Sequence, residues 1–191
     1  SLFKDGQQGF WYNPTEIDTL YQDSAGTTPV TLAGEPVGLV IDKSQGAELG
    51  PDLITDSDFN SGINISYDTN YGNITFGTEG MTLSNTTGAT YIQSDNAPLL
   101  VVGRSYKYRI VIGEGSDDIG VRPNIGGVDT PYYPHNAGTG VHEGIVTALT
   151  THAPKLYRHN WAGTCIVESF EVWELKGNHA TQSISASRPT Y

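Results

Sequence analysis

Few segments of this chain run ten residues without a glycine, a proline or a β-branched pair, which leaves little room for helices. Glycine and proline are poor in helix interiors, whereas β-branched and aromatic side chains suit a pleated surface. With 23 Gly, 10 Pro and 11 Tyr among 191 residues, an all-β protein with many turns is expected. The clearest strand is 106–112, where Tyr106, Tyr108, Ile110 and Ile112 alternate with Lys107, Arg109 and Val111. That period of two marks a strand with one buried face. Shorter candidates at 53–59, 63–67, 73–76, 81–84, 90–93 and 99–102 precede it, and 119–125, 141–149 and 155–158 follow. Short strands at such intervals predict a β-sandwich. Residues 163–175, GTCIVESFEVWEL, read as its last strand. Val167 and Phe170 fall on opposite parities, although both should be buried, and a β-bulge near Glu168-Ser169 would reconcile them.

Charge and cysteine narrow the function classes. The formal net charge is -11, a poor fit to nucleic acid or an anionic membrane surface, both of which need clustered Lys and Arg. Cys165 is the only cysteine, so no internal disulfide forms, and its strand position predicts a small buried side chain. No apolar run reaches about 18 residues, so no membrane span is expected. SLFKDGQQGF at the start has no signal-peptide core. The sequons at Asn64, Asn73 and Asn85 are therefore expected to stay unmodified.

The flanks read differently from the middle. Residues 1–46 are irregular, with an aromatic patch GFWYNP, one or two helical turns within 15–21 and a single apolar run at 37–41. Such an arm has little to bury alone. It is expected to lie against the sandwich, the C-terminal tail or a neighbouring subunit. The domain reading is a sandwich at 47–175, with discontinuous arms at 1–46 and 176–191 that meet as a second small unit.

Two resemblances cover nearly all of the chain. DLITDSDFNSG, VVGRSYKYRIVIGEG and LYRHNWAGTCIVESFEVWEL, in that order, resemble the galactose-binding-like jelly rolls that serve as carbohydrate-binding modules. The resemblance implies a jelly-roll sandwich and glycan binding. It also implies a structural calcium held between the first and last strands. Asp56, Asp58 and Glu168 are the matching positions, with Asp56 where Asn is usual and Glu168-Ser169 where Asp-Asn or Asp-Asp is usual. The flanks, ending in IDKS before the sandwich and resuming as GNHATQSISASRP after it, look like a frame found in tailed-phage virion proteins, in which DKSGxGNHATQ is continuous. That resemblance implies a sandwich inserted into a loop of a phage fibre or decoration protein. Its partners would be other virion proteins, bacterial surface polysaccharide and further copies of itself, a trimer being the expectation, at the virion surface.

Sugar recognition needs an aromatic platform and polar groups for the hydroxyls. The candidates are Trp161, Tyr157, Tyr132, Tyr133 and Arg122, with Tyr67 and Tyr71 behind them. The five histidines show no zinc-ligand spacing. No nucleophile elbow, phosphate loop or recognisable carboxylate pair appears, so binding without catalysis is expected. The alternative is a purely structural capsid or tail cement protein with no sugar site.

Overall fold

The computed structural model describes residues 10–44, 49–62, 65–67, 73–86, 90–114, 121–131, 133, 139–158, 161–177 and 179–191. In chain order the strands are β1 (Leu20–Tyr21), β2 (Leu39–Val40), β3 (Leu49–Asp52), β4 (Ile65–Tyr67), β5 (Asn73–Gly77), β6 (Gly80–Thr86) and β7 (Thr90–Ser94). Then follow β8 (Ser105–Ile112), β9 (Val121–Ile125), β10 (Val128–Asp129), β11 (Gly140–Thr147), β12 (Lys155–Arg158), β13 (Trp161–Leu175) and β14 (Ala180–Thr181). The described helical structure is 3-10 only, Ile17–Thr19 and Ser185–Ser187, and no described helix is long and apolar enough to cross a membrane.

Two antiparallel sheets face each other. One runs β10-β9-β12-β7-β4; the other runs β11-β8-β13-β6-β5, with β3 against the far end of β13. The alternation of β8 works as the sequence predicts: its two tyrosines and two isoleucines are buried, while Lys107, Arg109 and Val111 are not. Ile65, Ile92, Val121, Ile125 and Leu156 close the core from the opposite sheet. Each such aliphatic side chain contributes about 1.5–3 kcal/mol relative to an exposed one. The Cys165 side chain is buried within this core. The product is an all-β jelly-roll sandwich with extended arms.

The bulge in β13 is present. Val167 pairs with Ile112 and Ser169 with Val111, so Glu168 is the extra residue. The parity switch turns both Val167 and Phe170 into the core. Gly80, at φ +95°, lies beneath the bulge, and a Cβ there would come within 2.3 Å of the Val167 carbonyl oxygen. Only glycine allows that approach.

Two expected strands are turns. Residues 53–59 turn after β3 instead of extending. Asp52 Oδ1 accepts hydrogen bonds from the backbone N–H of Ile54 and of Val172, both at 3.0 Å. Asp56 and Phe59 adopt φ of 57° and 53°. The Asp-rich composition favours side-chain-to-backbone turns over a ladder. Phe59 and Ile54 still reach the core from this loop. Residues 99–102 likewise lead into a turn ahead of β8.

The arms fold on each other and on the sandwich. β2 lies between β1 and β14, so N-terminal and C-terminal segments share one small sheet. Leu39 and Ile41 pack with Ile145 and Leu175 on the outward side of the larger sheet, while Leu20, Val30 and Val37 form a separate cluster within the arm. At the junction Asp42 is 0% exposed. Its Oδ1 accepts the Trp11 and Ser44 N–H groups at 2.8 Å each, and its Oδ2 accepts the Ser44 hydroxyl at 2.9 Å. The Asp42 N–H donates to Nδ1 of His179 at 3.0 Å, and the other ring nitrogen lies 3.3 Å from the Leu175 carbonyl oxygen. The ring therefore ties the two arms together only with Nδ1 unprotonated.

Burial lowers the His179 pKa below its ordinary value of 6.5. The unfolded chain then binds this proton more readily than the folded one, so stability rises with pH across the interval between the two values. The His179 contribution is complete above about pH 6.5 and is lost as pH falls through the folded value. Denaturant melts between pH 7.5 and 5 should show that decline, and His179→Gln should flatten it. An equal slope in both proteins would contradict the latch.

Candidate functional site

β12 forms the middle of the smaller sheet. Alternation sends Leu156 and Arg158 inward and leaves Lys155 and Tyr157 outward. Register aligns the neighbours. Arg122 of β9, Tyr157 of β12 and Tyr91 of β7 form one row across three strands. Asp129, Asn124, Lys155, Gln93 and Ser66 form the next row across all five. Tyr91 is 45% exposed.

The rows are held by local contacts. β9 and β10 join through Gly126-Gly127, both at positive φ (57° and 81°), the backbone that a two-residue hairpin needs. That hairpin sets Asp129 opposite Asn124. Its carboxylate accepts Asn124 Nδ2 at 2.7 Å and pairs with Arg122 Nη2 at 3.0 Å. Arg122 is thereby steadied with its guanidinium carbon 5.9 Å from the Tyr157 ring centre. Lys155 Nζ lies 5.0 Å from the Tyr157 ring centre and 5.9 Å from that of Tyr91. The Ser66 hydroxyl donates to Asp95 at the sheet edge. Chemically, the face offers two phenol rings, two cations and a border of amides and hydroxyls.

The opposite outer face has another character. On the larger sheet Glu143, Arg109 and Glu171 stand in one cross-strand row. Arg109 pairs with Glu171 at 2.8 Å, and Lys107 with Glu143 at 3.0 Å. These charges satisfy one another, and the arms cover the end of that face at Ile145 and Leu175.

Of the sequence candidates, Tyr157 and Arg122 come together as cross-strand neighbours. Tyr133 does not join them: it is 5% exposed, its hydroxyl lies 3.1 Å from that of Tyr108, and its ring stacks on His142 with centres 4.4 Å apart. Its bridge to Val121 turns the ring inward, and burial raises its phenol pKa. Tyr133 is thus a core residue, correcting the surface role expected of it. Tyr132 and Tyr71 lie outside the described residues, as do the side chains of Trp161 and Tyr67; the backbone of Trp161 opens β13 opposite Thr86. Tyr91 and Lys155 belong to the face but were not among the sequence candidates. The alternation of TYIQS and KLYR could have singled them out.

The expected calcium ligands separate. Asp56 Oδ2 accepts the Gly62 N–H at 2.8 Å, which closes the turn after β3. Asp58 and Glu168 line a depression on the larger sheet with Glu79, Glu114 and Asn60, and Asp58 bonds the Asn60 amide. Among the described residues no group of three or more His, Cys, Asp or Glu is arranged to hold a metal ion. Asp58 and Glu168 thus face one depression, while Asp56 is drawn into the turn after β3.

No protein-family model and no curated protein sequence matches the chain. Among solved structures it is similar to the Clostridium thermocellum N-terminal endo-1,4-beta-D-xylanase 10B CBM22-1–GH10 modules complexed with xylohexaose, at a TM-score of 0.42 and 14% identity. The match covers 70% of this chain and 30% of that one. So loose an overlay transfers no residue of the face described above.

Two stability measurements separate core from surface. Tyr133→Ala should cost about 3–5 kcal/mol as a truncated core aromatic, whereas Tyr157→Ala should stay within about 1 kcal/mol. Urea melts of equal cost for both would contradict the assignment. Calcium and chelator should leave the thermal midpoint unchanged, and a rise with calcium would restore the implied site.

Proposed function

We propose that this chain is a carbohydrate-binding protein whose ligand lies across the outer face of the smaller sheet. The observation that carries the reading is the row Arg122–Tyr157–Tyr91, with Lys155 beside it. Two tyrosines on adjacent strands give an apolar platform for the faces of sugar rings. Gln93, Ser66 and the two cations supply donors and acceptors for hydroxyls. Rigid strands rather than loops carry every one of these groups, so little ordering is needed on binding. The role is binding, with no reaction catalysed.

In the same reading the protein is a virion component of a bacteriophage, a fibre or surface decoration that attaches to bacterial surface polysaccharide. This placement rests on the flanking motifs. The arms would anchor the chain to other virion proteins, and further copies, a trimer in the simplest case, would raise weak contacts through avidity. Two features support such a division of labour. The arms pack on the larger sheet, away from the proposed binding face, and they carry exposed Phe10, Trp11, Leu32, Ile184 and Tyr191. Exposed apolar groups of that kind suit contact with a neighbour.

A glycan array probed with the whole chain, alongside Tyr91→Ala and Tyr157→Ala, tests the reading. Saturable binding that weakens about tenfold or more in each variant is expected, since a central aromatic contact typically exceeds 1 kcal/mol. A well-folded chain that binds no glycan would shift the assignment to a purely structural virion protein.

A further inference from the structure

Resting on that reading of the face, we infer that its ligand is an acidic polysaccharide, and that the Lys155 ammonium recognises the carboxylate of a uronic acid unit. The charge balance first points there. The chain holds 21 acidic and 10 basic residues, yet among the described residues of this face two cations, Arg122 and Lys155, stand beside the two tyrosines, with carboxylates only at the borders, Asp129 at one edge and Asp95 at the other.

The two cations are differently placed. Arg122 already has a carboxylate, that of Asp129 at 3.0 Å. Lys155 makes no ion pair among the described residues; its cross-strand neighbours are the neutral amides of Asn124 and Gln93. Its ammonium is held over the Tyr157 and Tyr91 rings, at 5.0 and 5.9 Å. Cation–π attraction of this kind is weak at an exposed site. It narrows the wandering of a flexible side chain without neutralising it. A uronic acid unit lying along this row would bring its carboxylate within reach of that charge. A charge-assisted hydrogen bond is about twice as strong as a neutral one, so discrimination of about tenfold follows. Screening by salt should reduce it.

Titration of the whole chain with polygalacturonate and alginate, each against its carboxyl-reduced derivative, provides the test, repeated with Lys155→Met and Lys155→Arg. The expected result is about tenfold preference for at least one acidic polymer over its reduced form, weakening from 50 to 500 mM salt. Lys155→Met should abolish the preference and Lys155→Arg should retain it. Equal binding of acidic and reduced polymers, lost in Tyr157→Ala, would overturn the inference and leave the glycan reading standing. A preference that persists in Lys155→Met would remove Lys155 as the reader. Failure of the folded chain to bind any of the four polymers would overturn the inference, and the glycan array then decides separately whether the face binds sugar at all.

Discussion

The pairing of β13 with β8 is the constraint on which the rest of the molecule depends. β13 runs through the larger sheet, with β6 along its first half, β8 along its second and β3 at its end. An unbroken period of two would expose either Val167 or Phe170 on the charged face. One extra residue, Glu168, turns both inward, and Gly80 makes room for the bend. The cost of one unpaired residue in the ladder is offset by two buried apolar side chains. Past the bulge, Glu171 and Leu175 point outward instead, where Arg109 meets the first and the arms cover the second.

From that arrangement the two outer faces acquire different roles. The larger sheet spends its outward positions on mutual ion pairs and on contact with the arms. On the smaller sheet Tyr91 is exposed and Tyr157 and Lys155 are half-buried, and none of the three belongs to the arm clusters. The arm contacts and the Arg122–Tyr157–Tyr91 row therefore occupy opposite sides of one sandwich. The arms add to their own small cluster at Leu20, Val30 and Val37: Leu39 and Ile41 borrow Ile145 and Leu175, and Asp42 and His179 join the two arms by a hydrogen bond.

The strands were largely legible in the sequence, and the turns less so. Alternation revealed β8 and β12, and the conflict of parity at Val167 and Phe170 revealed the bulge. Residues 53–59 misled because apolar Leu53, Ile54 and Phe59 resemble a strand, while Asp52 and Asp56 capture backbone N–H groups and close a turn. At the site, Tyr157 and Arg122 were legible as residue types that suit sugars. Their partnership with Tyr91 and Lys155 was not, because cross-strand register is a long-range property that no local spacing encodes. Tyr133 looked equally suitable beside its proline neighbours; only the bridge to Val121 decides that its ring faces Tyr108 and the core.

The central claim is that one face binds and the other does not. Backbone amide chemical-shift mapping of the 15N-labelled chain, titrated with whichever glycan the array identifies, addresses both halves at once. The account predicts perturbed amides on β7, β9 and β12 around Tyr91, Arg122 and Tyr157, with the Glu143–Arg109–Glu171 row and the arm sheet unmoved. Perturbations centred on the larger sheet, or on the depression at Asp58 and Glu168, would contradict it.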